Sequence, residues 1–216
     1  MCIVTHRDRN MNRAYGAGLK KQTNNQFLNM YEVDAVRRDG KHFPYYFASR
    51  REDGDLMYET GELRADGVVI YPVYKDQPDK IVLLRQFRYP VNQYIYELPA
   101  GLVDAGEEPE IAAIRELKEE TGMEFIPFTD YDAALKRPFI QSQGMADECD
   151  ITVFGYASGE ISIDGSEATE DIQVILADKE EVKRILKEEW VSIRAAYLLM
   201  IFLKSAPEDP FDFLKI

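Results

Sequence analysis

Cysteine, histidine and long apolar runs are all scarce in this 216-residue sequence. It contains only two cysteines, Cys2 and Cys149, and two histidines. Two thiols form neither a disulfide framework nor a zinc-ligand spacing, which excludes a disulfide-stabilised secreted scaffold and indicates a cytoplasmic protein. The first residues are polar, and no apolar run reaches the roughly 18 residues that a membrane span requires. We therefore expect no signal peptide and no membrane partner.

Positive charge is also scarce. The chain has 26 Lys and Arg against 39 Asp and Glu, a net charge of −13. This balance argues against non-specific nucleic-acid binding, in which basic residues neutralise phosphates. The charge is uneven, because residues 1–51 hold ten basic and four acidic residues, a balance of +6 that leaves −19 for the rest. An anionic ligand would therefore need locally placed cations.

The N-terminal quarter predicts a small β-structure. Residues 1–25 are polar without an apolar period, so we expect a frayed arm or an arm that orders only on a partner. Two aromatic and β-branched stretches, 27–36 and 42–48, flank Asp39-Gly40 and predict a β-hairpin. Pro44 predicts that the second strand is an edge strand or an irregular one. We place a domain boundary after this region, with residues 1–60 as a basic arm and hairpin and residues 61–216 as the main domain.

The main domain mixes strands and helices without regular βαβ alternation, which predicts an α+β fold with a mixed central sheet packed by helices. Further strands are predicted at 68–74, 81–87, 94–98, 151–157 and 172–176. Helices are predicted at 108–121, 179–189 and 193–204, with Asp178 and Ser192 as N-caps and Gly122 as a C-cap. Four large apolar residues near the end are expected in the core, with ligand contact as the alternative: Trp190, Tyr197, Leu198 and Phe202.

The first predicted helix carries three acids on one face. At 100° per residue from Glu116, Glu119 falls at roughly −60° and Glu120 at roughly +40°, an arc of about 100°. An apolar stripe lies beside this arc, formed by Ala113, Ile114 and Leu117. Three like charges repel one another, and a hard divalent cation such as Mg²⁺ would convert that repulsion into attraction. A solvated acidic face is the alternative.

The residues around these acids carry a family resemblance. Gly101 is followed after five residues by Glu107, and after seven more by Arg115-Glu116-Leu117-Lys118-Glu119-Glu120-Thr121-Gly122-Met123. This pattern resembles the Nudix box at every position. The segments 86–88 and 96–101 are similar to the ADP-ribose (ADP-sugar) pyrophosphatase branch of the Nudix hydrolases. The resemblance implies an α/β/α sandwich with a small N-terminal β-hairpin subdomain.

The resemblance also implies roles for the acids. Glu116, Glu119, Glu120 and the Ala100 carbonyl would hold Mg²⁺, with Mn²⁺ as the alternative ion. Arg115 lies four residues before Glu119, so its side chain can brace that carboxylate. The general base would come from a loop beyond the box, where Glu167 and Glu170 are candidates; a solvated acidic turn is the alternative for each.

The substrate side of the site follows from the same resemblance. Arg88 is the candidate cation for the substrate phosphates, because a planar guanidinium suits phosphate oxygens. Glu97, Arg51 and Gly144 are the other candidate substrate contacts, with an ordinary solvated turn as the alternative for Arg51. In related enzymes the N-terminal hairpin packs across a two-fold partner, so the resemblance implies a homodimer whose first 60 residues serve dimerisation or substrate contact.

The implied reaction is Mg²⁺-dependent hydrolysis of the diphosphate in ADP-ribose or a related ADP-sugar, which gives AMP and a sugar phosphate. Relatives that prefer ADP-ribose carry Ser-Pro-Gly after the box, whereas this chain has Ser142-Gln143-Gly144. Another nucleotide sugar or a dinucleotide therefore stays open as the substrate. A Nudix fold that binds a nucleotide as a non-catalytic sensor is the third alternative.

Overall fold

The structure is a computed structural model that describes residues 13–165 and 171–215. The chain divides into two compact units. The first, called the N-terminal unit, lies within Met1–Leu63 and includes the later segment Ile140–Glu148. The second, called the box unit, lies within Arg64–Phe139 and Cys149–Ile216. No helix in the described part of the chain is long and apolar enough to cross a membrane.

The N-terminal unit contains an antiparallel sheet of three strands and a one-turn helix. The elements are β1 (Tyr15–Lys21), β2 (Asn29–Val36), β3 (His42–Ser49) and α1 (Met57–Thr60). The predicted hairpin is confirmed as β2 and β3, with Gly40 in the turn at φ +80°. Its amide donates to the carbonyl of Arg37 at 2.9 Å. Pro44 lies in an edge strand, as predicted, since the strand order is β1-β2-β3.

The expectation of a frayed arm over residues 1–25 is wrong in its second half. Residues 15–21 form β1, which pairs with β2 from Tyr15 opposite Val36 to Lys21 opposite Tyr31. The strand is almost fully exposed, so its side chains show no apolar alternation. Backbone hydrogen bonds, which are independent of side-chain type, hold it to the sheet. Residues 1–12 lie outside the described part of the chain.

The box unit is built on a mixed sheet. Its strands are β4 (Gly67–Tyr74), β5 (Lys80–Arg88), β6 (Gln93–Glu97), β7 (Ala100–Leu102), β8 (Glu124–Pro127), β10 (Cys149–Ser158) and β11 (Ile172–Asp178), and the two-residue strand β9 (Phe139–Ile140) lies at the boundary between the units. The main strand order is β11-β5-β4-β10-β8, while β6 pairs with β5 and β7 with β4. β10 runs parallel to β4, and the pairs β4–β5, β5–β11 and β8–β10 are antiparallel.

Three helices of the box unit match their predictions within two residues at each end. They are α2 (Pro109–Thr121), α3 (Lys179–Glu188) and α4 (Ile193–Phe202). The Asp178 carboxylate accepts the amide of Glu181, and the Ser192 hydroxyl accepts the amide of Ala195, as expected of N-caps. Gly122 ends α2 in the left-handed region at φ +73°. Short 3₁₀ turns follow at Ala133–Leu135 and Asp212–Leu214.

Each face of the sheet is covered by helices. Alternate residues of β4 point to opposite faces. Val68 and Ile70 pack with Leu117 of α2, while Val69 and Tyr71 belong to the cluster formed by α3, α4 and the C-terminal turn. The predicted α+β fold, an α/β/α sandwich around a mixed sheet, is thus confirmed, and the small N-terminal β-structure is present.

Two of the four apolar residues expected in the core near the C-terminus are on the surface. Phe202 is buried, but Trp190 is 59% and Tyr197 62% exposed. The sheet-facing stripe of α4 is formed by Ala195, Leu199 and Phe202, so Tyr197 points away from the core. Trp190 precedes the helix in an extended segment, where helical spacing does not apply.

Candidate active site

The site begins where β7 meets helix α2. β7 pairs with β4, and this pairing sets Gly101 opposite Val68. A Cβ atom at position 101 would lie 2.0 to 2.3 Å from the carboxylate atoms of Glu116. A side chain at position 101 would therefore displace the Glu116 carboxylate, which fills the space beside the backbone. The first glycine of the box and its first helical acid are in direct contact.

A second acid of the helix meets the adjacent residue of the same strand. Glu120 is only 4% exposed, and its Oε2 accepts the backbone N–H of Ala100 at 3.2 Å. A buried carboxylate needs such partners because burial without them disfavours its charged form. Two of the predicted metal ligands, Glu116 and Glu120, are thus held against consecutive residues of β7.

Arg115 connects the acids of the site. Its guanidinium forms a two-pronged ion pair with Glu107, with N–O distances of 3.1 and 2.9 Å. Nη1 donates to Glu116 at 2.7 Å and to Glu119 at 3.2 Å, and Nη2 donates to the Leu102 carbonyl at 3.0 Å. The predicted contact with Glu119 is present, but Glu107 and Glu116 are nearer partners.

The ion pairs shift the titration of both partners. The hydrogen bond from Arg115 holds the pKa of the Glu107 carboxyl below its usual value. The same bond, followed by the bond to Glu116, raises the pKa of the Arg115 guanidinium. Glu107 therefore stays ionised and anchors the arginine, a role that was not predicted from the sequence. The fixed spacing of Glu107 within the box was the available signal.

The donor set suits a hard divalent cation. Glu116 and Glu120 offer carboxylate oxygens beside Gly101 and the backbone N–H of Ala100, and Mg²⁺ is commonly held by one or two carboxylates together with substrate phosphates. Within residues 13–165 and 171–215, no group of three or more His, Cys, Asp or Glu side chains is arranged to hold a metal ion. The feature that fits a metal here is the chemistry of the donors, since two carboxylates are held against consecutive residues of β7.

Arg88 and Glu97 form an ion pair on the sheet of the box unit. Nε of Arg88 donates to Oε1 of Glu97 at 2.6 Å, and Nη2 donates to Oε2 at 3.2 Å. The Glu97 side chain is 8% exposed, whereas that of Arg88 is 40% exposed. The buried carboxylate fixes the direction of the guanidinium, and the exposed side of the guanidinium can meet an anion.

Arg51 and Gly144, the other two predicted substrate contacts, lie in the N-terminal unit. Arg51 is 7% exposed. The Gly144 carbonyl accepts the hydroxyl of Tyr45 at 2.9 Å, and the Met145 carbonyl accepts the amide of Ala48 at 2.7 Å. The loop around Gly144 is therefore bound to β3 by direct hydrogen bonds.

Both candidates for the general base, Glu167 and Glu170, lie outside the described residues. The chain before them is tied to the end of α2. The amide of Ser162 donates to the Thr121 carbonyl at 2.8 Å, and a Cβ atom at Gly165 would lie 2.9 Å from the Glu119 carbonyl. The described segment that leads to these candidates thus runs along the acidic helix.

Comparison with known proteins identifies related sequences. The NUDIX domain family model matches residues 63–211. An ADP-ribose pyrophosphatase of Saccharomyces cerevisiae is 57% identical over 64 residues, which cover 29% of this chain and 28% of that protein. An ADP-ribose pyrophosphatase of Bacillus subtilis is 35% identical over 127 residues, 56% of this chain and 63% of that protein. The chain thus spans less than two thirds of the length of these relatives.

A solved structure shares the fold. The crystal structure of an ADP compounds hydrolase superposes with a TM-score of 0.65 at 18% sequence identity. The superposition covers 87% of this chain and 92% of that one.

Proposed function

This chain belongs to the Nudix family, and from that membership we propose that it is a hydrolase that cleaves the diphosphate of ADP-ribose or a related ADP-sugar. The products are AMP and a sugar phosphate. The observation that carries the proposal is the junction of β7 and α2, where Gly101 admits the Glu116 carboxylate and Ala100 binds Glu120. The names of the relatives from yeast and Bacillus subtilis support the choice of ADP-ribose.

In this proposal the acids of α2 bind a divalent metal ion, which Nudix hydrolases generally use. Glu116, Glu119, Glu120 and the Ala100 carbonyl would hold it, and we propose Mg²⁺, with Mn²⁺ as the alternative. When bound, such an ion stabilises charge on phosphate oxygens and lowers the pKa of water. Arg115 is a positioning residue in this scheme, because it contacts Glu116 and Glu119 while Glu107 anchors it.

The substrate phosphates would be met by Arg88. Its guanidinium is already oriented by Glu97, so little side-chain freedom is lost when an anion binds. We further propose that Arg51 and Gly144 contribute substrate contacts from the N-terminal unit, and that this unit forms the interface of a homodimer. Glu167 or Glu170 would act as the general base that accepts a proton from the attacking water.

A panel of substrates tests the proposal. The purified chain is incubated with ADP-ribose, other ADP-sugars, UDP- and GDP-sugars and dinucleotides, with Mg²⁺, with Mn²⁺ and with chelator. Phosphomonoester products are detected by coupled release of inorganic phosphate. We expect ADP-ribose or another ADP-sugar to lead by at least tenfold in kcat/KM, and chelator to abolish turnover. If the chain hydrolysed only a UDP-sugar or only a dinucleotide, that compound would replace the ADP-sugar as the proposed substrate. Tight binding without turnover of any member would indicate a sensor.

A further inference from the structure

Trp190 combines a fixed backbone with an exposed side chain. It is the sole tryptophan of the chain and is 59% exposed. Its carbonyl accepts the amide of Tyr96 at 2.7 Å, and the amide of Ser192 donates back to the Tyr96 carbonyl at 3.0 Å. These two bonds dock the segment on the free edge of β6 as a parallel bridge between Tyr96 and Val191. The position from which the indole projects is therefore well defined.

The pleat of the sheet determines which face Trp190 occupies. Tyr96 and Val191 are bridge partners, and both pack into the cluster formed by α3 and α4. Because successive residues of a strand point to opposite faces, Trp190 lies on the other face, next to Ile95. That face also carries Val82, which packs with α2. Trp190 is thus on the side of the sheet that bears the box helix.

The proposed phosphate-binding cation lies on the same face. Arg88 is opposite Gln93 in the register of β5 and β6, and Glu97 is opposite Leu84. Since their side chains meet at 2.6 Å, the ion pair must lie over the row between them, which is Gln86 opposite Ile95. The backbone of Trp190 lies beside that of Ile95. Trp190 therefore continues the row of Gln86 and Ile95 by one strand, at a spacing of about 4.8 Å from Ile95. The backbone of Trp190 therefore lies one strand position from the row over which the charged pair lies.

We propose that Trp190 is the platform on which the nucleobase of a nucleoside diphosphate substrate stacks. This inference rests on the proposed function, in which Arg88 binds the diphosphate. A nucleobase is joined to its diphosphate through one ribose, so the two groups need an aromatic surface and a cation side by side. Base stacking on aromatic rings tolerates every base, because every base has a π-face. Trp190 accordingly supplies affinity for nucleotides without selecting adenine.

Indole fluorescence tests the contact directly, because Trp190 is the only tryptophan. The full chain with Mg²⁺ is titrated with AMP, UMP and ribose 5-phosphate, and free N-acetyltryptophanamide corrects for absorption by the base. We expect AMP and UMP to quench the emission by more than half and ribose 5-phosphate to leave it unchanged. Binding of AMP, measured by calorimetry, without a change in emission would overturn the inference. So would the absence of AMP binding at millimolar concentration.

Kinetics of three variants provide the second readout. For Trp190→Ala we expect KM for ADP-ribose to rise about tenfold or more, with kcat within twofold, since stacking acts on binding. Trp190→Phe should recover most of the affinity. Tyr197→Ala is the matched control, because Tyr197 is equally exposed but lies on the outer side of α4. A fall in kcat with unchanged KM in Trp190→Ala would contradict the inference.

The two readouts separate this inference from the proposed function. AMP and UMP have no diphosphate to hydrolyse, so quenching reports on stacking even if the wild-type chain turns over no substrate. Hydrolysis of ADP-ribose without quenching by AMP would leave the proposed function standing and remove Trp190 from the site.

Discussion

The close contact between Gly101 and Glu116 is possible because glycine has no Cβ atom. The Glu116 carboxylate occupies the place of a Cβ at position 101, and Arg115 holds the same carboxylate from another side at 2.7 Å. A carboxylate is the flexible end of its side chain, so it can move away if a methyl group is added. The contact therefore constrains the position of the acid more than it constrains the fold.

Gly101→Ala should separate activity from stability. The added methyl group displaces the Glu116 carboxylate, and misplacement by about 1 Å at a catalytic group can cost 100-fold in rate. We expect kcat for ADP-ribose to fall 10- to 100-fold, while the thermal midpoint stays close to that of the wild type. Steady-state kinetics and thermal unfolding of the same preparation measure both.

Gly18→Ala is the control, because the nearest atom to a Cβ at Gly18 is 3.9 Å away. It should change neither kcat nor the midpoint appreciably. Equal activity of Gly101→Ala and the wild type would show that Glu116 needs no fixed position.

The ion pair of Glu107 with Arg115 predicts a pH dependence. The pKa of the Glu107 carboxyl is lowered in the folded chain, so the pair stabilises the fold at pH values above the ordinary pKa of glutamate. This contribution is lost as the pH falls through the lowered value, because the unfolded state then binds the proton more readily. We expect the free energy of unfolding of Glu107→Gln to decline less steeply than that of the wild type below about pH 4.5. Urea unfolding across a pH series measures the slopes, and parallel slopes would contradict the prediction.

Contacts between residues one helical turn apart could be predicted from the sequence, and others could not. Arg115 and Glu119 are four positions apart in α2, so their contact follows from helical geometry. Glu107 precedes the helix, and its bond to Arg115 depends on the path of the loop between β7 and α2. The Arg88–Glu97 pair likewise requires the register of β5 and β6, which no local pattern specifies.

Among the elements, α2 is held at its C-terminal end by a second segment. Gly122 has φ +73°, and a Cβ there would lie 2.8 Å from the backbone nitrogen and oxygen of Ser162. The Ser162 amide donates to the carbonyl of Thr121 at 2.8 Å. The segment around Ser162 therefore packs directly on the helix end, where a side chain at position 122 would push it away.

Gly122→Ala should destabilise the box unit by more than the cost of placing alanine at a positive φ angle. A left-handed conformation costs a residue with a Cβ about 1–2 kcal/mol, and displacement of Ser162 adds to that cost. Gly61→Ala is a matched control, because Gly61 also follows a helix, at φ +68°, with no atom within 4 Å of the added Cβ. We expect the larger loss of unfolding free energy at Gly122, measured by denaturant titration. Equal losses would mean that Ser162 moves without cost.

Elements with strong local signals could be predicted, whereas elements held by pairing could not. The helix α2 has proline at its first position and glycine after its last, and its predicted bounds agree with the structure. The strand β1 buries almost nothing, so only its pairing with β2 reveals it. Trp190 was assigned to the core on helical spacing, and that prediction is wrong because its segment is extended and docked on β6.

At the scale of the whole molecule, basic and acidic residues are segregated along the chain. Residues 1–51 carry +6 and the remainder −19. The N-terminal unit also exposes aromatic side chains on its edge strand β3: Phe43 at 40%, Tyr45 at 41% and Tyr46 at 50%. Exposed aromatic groups of this kind are typical of protein interfaces. They support the proposal that this unit forms the homodimer interface.

Phe43→Glu should weaken that dimer. A buried charge at the interface is costly, so we expect the variant to sediment as a monomer at a concentration where the wild type sediments as a dimer. Tyr197→Glu is the control, since Tyr197 is an exposed aromatic of the box unit. Analytical ultracentrifugation decides the outcome. A wild-type chain that is monomeric at every concentration would remove the proposed interface.

The membership of Ile140–Glu148 in the N-terminal unit had no signal in the sequence. The segment is separated from the rest of the unit by more than 70 residues, and on its side the two hydrogen bonds to β3 use the backbone carbonyls of Gly144 and Met145. Backbone hydrogen bonds leave no pattern of side chains. Contacts between segments this far apart in the sequence can be identified only from the structure.

One comparison tests most directly whether diphosphate hydrolysis takes place at the junction of β7 and α2. The kcat/KM for ADP-ribose with Mg²⁺ is measured for the wild type, Glu120→Gln and Glu124→Gln, the last an exposed carboxylate just beyond α2 that pairs with Lys118. We predict a loss of about 100-fold or more in Glu120→Gln and wild-type activity in Glu124→Gln, with AMP and ribose 5-phosphate as products. Full activity of a folded Glu120→Gln variant would contradict the assignment of the active site.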